Sequence, residues 1–153
     1  MSIDARLEEL DLQLPTPFPP VGTYVNAVRT GDLVVLGGTV SAVCDGDSVC
    51  GKLGEDLDVK DGRRAARLAA LNALATLRAE LGSLDRVARI VSVRGFVNAA
   101  PTFTEHTRVV DSASDLFVAV FGDRGRHARI AFGVSSLPAN LALEIELLAE
   151  VAE

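Results

Sequence analysis

The sequence predicts an α+β domain in which two helices cover one face of a mixed sheet. Two observations carry this. Helical periods stand singly between strand-like runs, and pairs of strand-like runs lie at both ends of the pattern, giving the order β-β-α-β-α-β-β. No GxGxxG or Walker spacing follows a strand, since "VLGGTVS" has only two adjacent glycines, so a phosphate-binding α/β fold is not expected.

Each element has a local reason. Residues 3 to 14 have Leu7, Leu10 and Leu14 at helical spacing, and "PTPFPP" ends that helix because proline cannot continue it. "TYVNAVRTGDLVVLGGTVS" reads as two strands around the turn signal "TGD". Residues 42 to 56, rich in Gly and Asp, read as loop. Asp58 is the expected N-cap of the clearest helix, and Gly82 its left-handed stop. Between them Leu71, Leu74, Leu77 and Leu81 form a stripe widened by alanines such as Ala70 and Ala73, bordered by Arg67 and Arg78. Residues 86 to 99 form a β-branched strand. "SASDLFVAVFG", the tail of the stretch after "AAPTF", reads as a second helix closed by Gly122. Residues 126 to 134 and 141 to 151 are two further strands, expected to join as a hairpin through "SSLPAN".

Length and charge narrow the function classes. A chain of 153 residues is one domain and buries roughly 70% of its unfolded surface. The N-terminal 20 residues are its helix and proline-rich connector. The net charge of −6, with no block of Lys and Arg, repels polyanions and argues against a nucleic-acid partner. No apolar run approaches membrane-spanning length, and "MSIDARLEEL" lacks the basic and apolar regions of a signal peptide, so a cytoplasmic location is expected. Cys44 and Cys50 lack the spacing of a redox or metal pair, and His106 and His127 supply no matching ligands. No metal is expected.

The last two strands raise the chemical question. Side chains alternate across a strand, so Ala128, Ile130, Phe132 and Val134 share one face and His127, Arg129, Ala131 and Gly133 the other. In the final strand Leu141, Leu143, Ile145 and Leu147 form an apolar row opposite Ala142, Glu144 and Glu146. If both apolar rows meet the helices, Arg129 shares the reverse face with the two glutamates. Its guanidinium cannot deprotonate and so needs an anion or water. Alternation leaves two choices open: a cross-strand pair with a glutamate, or a small carboxylate ligand held bidentately among small residues.

"HARIAFGVSSLP" followed by "LEIELLAEV" resembles the C-terminal signature of the RidA/YjgF family, approximately "PARSAVGVAxLP…VEIExIA". Upstream, "GTYVNAVRTGDLVVLGGTVS" is similar to the family's "GPYSxAVxxGNLVFxSGQxP", and the resemblance covers nearly all of the chain after Pro20. It implies a chorismate-mutase-like fold and a homotrimer, its sheets lining a central barrel and its sites lying between subunits. It also implies cofactor-free hydrolysis of enamines or imines such as 2-aminoacrylate to 2-oxo acids and ammonia. By position, Arg129 corresponds to the arginine that grips the substrate carboxylate and Glu144 to the glutamate that activates water. Tyr24, Gly37 and Ala131 fall at positions that line the site. Gly37 stands where characterised members have serine, and Ile130 and Ala131 replace "SC" or "SA"; residues 99 to 115 form a longer segment than in compact members. The rival reading is a trimer that binds a keto acid without turnover. An older ribonuclease label attached to the family sits poorly with the acidic charge.

Overall fold

A 23-residue helix studded with alanine sets how closely the two layers meet. The computed structural model describes residues 1–152. In chain order its elements are α1 (Ile3–Glu9), β1 (Ala27–Thr30), β2 (Leu33–Val40), α2 (Val59–Leu81), β3 (Val87–Asn98), α3 (His106–Phe121), β4 (Ala128–Val134) and β5 (Leu143–Val151). On α2, Ala65, Ala66, Ala69, Ala70 and Ala73 are fully buried, so the helix backbone lies close to its neighbours. Asp58 caps it in a reciprocal box with Asp61, and Gly82 ends it at φ 78°.

The predicted element order holds, and two boundaries differ. The N-terminal helix stops at Glu9 rather than running to residue 14; Leu10, Leu12 and Leu14 still pack on the core as irregular chain. The second long helix begins at His106, well before "SASDLFVAVFG", because Val109 and Val110 belong to its buried stripe.

The five strands lie in the order β1-β2-β5-β3-β4. Strands β3 and β4 are parallel and joined by α3; every other pairing is antiparallel. The expected β4–β5 hairpin therefore does not form. A parallel crossover needs a helix's worth of chain, which α3 supplies, and this places β4 at the sheet edge. β5 passes β4 and inserts between β2 and β3, where both of its edges are hydrogen-bonded. Its alternation then works as predicted: Leu143, Ile145 and Leu147 are buried under the helices, with Glu144 and Glu146 on the other face.

For β4 the face assignment is reversed. Arg129 pairs with the fully buried Val93, so Arg129, Ala131 and Gly133 point toward α3. Ile130 and Phe132 lie on the open face, 56% and 40% exposed. The reason is steric. A Cβ on Gly95 would lie 2.6 Å from Val110, and one on Gly133 would lie 2.7 Å from His106, so α3 approaches only where this row is small. The larger apolar residues turn outward, where Phe132 meets Phe96 edge-on at 5.1 Å.

Candidate functional site

Arg129 and Glu144 sit on opposite faces of the sheet, with β3 between their strands. The expectation that they share a face is thus corrected, and each has its own surroundings.

On the helix side, Arg129 reaches from the edge strand to α3. Its Nη1 donates to Asp111 Oδ1 at 2.8 Å and to Ser114 Oγ at 3.0 Å, and Nη2 lies 3.4 Å from the Thr107 carbonyl oxygen. The side chain is 17% exposed and that of Asp111 is 45% exposed. Within the chain, the anion that Arg129 faces is therefore neither glutamate but Asp111. The guanidinium is not exhausted. Its Nε–H donates to no described residue, and Nη2 has two hydrogens against one long contact, so the Nε–Nη2 side keeps donors that a carboxylate can accept. Ala131, two residues on, adds no polar atom on this face.

His127 belongs to the same cluster. Its Nδ1 lies 2.6 Å from the Gly125 carbonyl and its Nε2 2.9 Å from Ser114 Oγ. Burial holds the imidazole below its ordinary pKa, and the Arg129 charge pushes the same way against the opposing Gly125 hydrogen bond.

On the open face, Glu144 lies between Val40 of β2 and Phe96 of β3. Its carboxylate makes no ion pair with a described residue, and burial alone raises its pKa. The space it fills exists because position 38 is glycine: a Cβ there would lie 1.8 Å from Glu144 Oε1. Gly38 sits where the β2–β5 register shifts, between Leu36 and Thr39. The predicted Gly37 is the neighbour of the loop before β1 instead, donating its N–H to the Asn26 carbonyl at 2.9 Å. Tyr24 lies in that loop, 54% exposed, its hydroxyl accepting from the Val21 N–H at 3.1 Å. The same face carries exposed Val28, Leu33, Val35, Ile130 and Phe132.

Sequence reasoning put His127 on the face of Arg129 but gave it no role there, and it missed Gly38, Asp111 and Ser114. A glycine pair inside a strand signals a bulge or a close approach, so Gly38 was readable. Asp111 and Ser114 stand three apart on one helix face, but nothing local says which strand residue they meet.

The five-stranded mixed sheet with its helices on one face is the architecture of a YjgF/chorismate-mutase-like protein. Residues 4–151 match the family model described as "YjgF/chorismate mutase-like, putative endoribonuclease", and the chain belongs to that family. It is 41% identical over 150 residues to Protein TCP17 of Trypanosoma cruzi, across 97% of this chain and 94% of that one. Among solved structures it is similar to Atu1372 of Agrobacterium tumefaciens, a protein of unknown function, at 38% identity and a TM-score of 0.91, covering 98% of this chain and 92% of that one. It is also similar to a protein described as a putative endoribonuclease from Shewanella oneidensis, at 32% identity and a TM-score of 0.94, covering 99% and 100%. Among the described residues, no helix is long and apolar enough to cross a membrane.

Proposed function

We propose that this protein hydrolyses small enamines or imines bearing a carboxylate, and that its site assembles between protomers of a homotrimer. The observation that carries this reading is the division of the two groups. Arg129 offers an open donor edge at the β4 rim, and Glu144 an unpaired carboxylate on the open sheet face. A small substrate cannot meet both within one chain. Protomers packed with the β4 edge of one over the open face of the next would bring one chain's arginine to the other's glutamate, and Val28, Val35, Ile130 and Phe132 give that face an apolar surface to bury.

The chemistry needs little more. The enamine tautomerises to an imine, whose carbon is already electrophilic. Arg129 anchors the carboxylate and so fixes where that carbon lies. Glu144 takes a proton from the attacking water as the hydroxyl bonds to the imine carbon, and returns that proton to the nitrogen as the C=N π bond breaks. In the resulting carbinolamine the hydroxyl proton passes through Glu144 to the nitrogen as the C–N bond breaks, so ammonia leaves and the carbonyl of the 2-oxo acid forms. A carboxylate whose pKa is raised by burial suits this proton transfer better than a freely solvated one.

The replacement of polar neighbours by Ala131 and Ile130 favours a second reading, in which the same cleft binds a 2-oxo acid without turnover. One assay separates the two. A dehydratase generates 2-aminoacrylate, and pyruvate release is followed with wild type, Arg129→Ala and Glu144→Gln. The catalytic reading requires acceleration by wild type that both variants lose; no acceleration across several enamines leaves the binding reading. A stable monomer in solution would remove the shared site.

A further inference from the structure

Arg129 has its free edge only because its other donors are held, and the holding is done by a directed chain of hydrogen bonds. Gly125 starts it. A Cβ at this position would lie 2.2 Å from the Phe117 carbonyl oxygen, so the turn formed by Gly122–Gly125 presses onto α3 only as glycine. Its carbonyl then meets His127 Nδ1 at 2.6 Å. A carbonyl only accepts, so Nδ1 carries the proton and Nε2 is left as an acceptor. The Ser114 hydroxyl, 2.9 Å away, donates to Nε2 and turns its lone pairs to Arg129 Nη1 at 3.0 Å. Without His127 that hydroxyl is free to donate to the Val110 carbonyl four residues back, as helix serines do. Phe117 packs nearly perpendicular to the imidazole, with ring centroids 5.9 Å apart.

Asp111 takes the remaining Nη1 hydrogen at 2.8 Å. Two hydrogen bonds on one nitrogen, one to each acceptor, set the plane of the guanidinium. Nη2 keeps one long contact, 3.4 Å to the Thr107 carbonyl of α3, and Nε–H is left as the donor that meets no described residue.

We propose that Ser114 and His127 are positioning residues, which act through Arg129 to hold its Nε–Nη2 edge in place for a ligand carboxylate. The role of that edge rests on the function proposed above; the ordering of Arg129 does not.

The test uses the full chain labelled with nitrogen-15, and 2-oxobutyrate as the probe. The Arg129 Nε–H resonance is assigned by its loss in Arg129→Lys. In wild type it is sharp and resolved. In Ser114→Ala and in His127→Gln it moves toward the position of a free arginine, and probe affinity falls about tenfold, the scale of losing one hydrogen bond to a charged group. Ser114→Thr, which keeps the hydroxyl, restores both. Unchanged backbone amide signals show that each variant is folded. An unmoved Arg129 resonance in Ser114→Ala overturns the proposal, whatever the probe does. If Arg129→Ala binds the probe as wild type does, the carboxylate reading falls, while the resonance still decides the positioning role.

Discussion

The Glu144 carboxylate occupies the volume that a side chain at position 38 would need. A Cβ on Gly38 would lie 1.8 Å from Oε1 and 2.9 Å from Cγ, whereas one on Gly37 would come no nearer than 3.6 Å, to the Asn26 carbonyl. The atoms displaced belong to the end of a flexible chain, so Gly38→Ala is expected to fold and to move the carboxylate. Carboxyl-selective NMR titration should find the Glu144 resonance displaced in Gly38→Ala and in place in Gly37→Ala. A Glu144 signal that ignores position 38 would refute the steric link.

Burial at Glu144 has a signed consequence for stability. A carboxyl whose folded pKa is raised binds protons more readily in the native state than in the unfolded chain. Stability is therefore lost as pH rises from the ordinary carboxylate range through the raised value. Glu144→Gln is expected to unfold no more easily than wild type at pH 7, and the two to converge on acidification below that range. Denaturant titrations at several pH values check this. A variant clearly weaker than wild type at pH 7 would mean that the charge is stabilising.

Asp111→Asn removes the only carboxylate paired with Arg129 among the described residues. Breaking a fully buried pair costs ~3–5 kcal/mol, but Asp111 is half-exposed and water screens what remains. The expected loss is about 1–2 kcal/mol, read as a lower urea midpoint at unchanged slope. No measurable change would place Arg129 in water rather than in this pair.

The open face supplies the fourth expectation. Ile130 and Phe132 are exposed at the sheet edge beside Arg94 and Glu146, which approach only to 3.8 Å. Ile130→Glu should leave the fold intact and shift a trimeric mass in solution to that of a monomer. A wild-type protein already monomeric at micromolar concentration would sink the assembly on which the shared site depends.

Much of this was legible in the chain. The capping box at Asp58, the left-handed Gly82 and the alternation of β5 are local rules, and each element they predict is present. The family signature around Arg129 and Glu144 was equally readable, because it is a matter of residue identity and spacing. The partners of Arg129 were not. Asp111 and Ser114 lie 18 and 15 residues before it, and only the crossing of α3 over β4 joins them.

Sequence by itself determined which residues alternate and which elements form, since both follow from the geometry of a few neighbouring peptide units. Tertiary structure decided which face each row takes. β4 has the same period whichever way it faces, and its apolar row looked like a core row. The choice fell to packing: α3 can lie close only over Gly95, Ala131 and Gly133, so β4 turned Ile130 and Phe132 outward and Arg129 inward. That turn parted Arg129 from Glu144 and gave it Asp111.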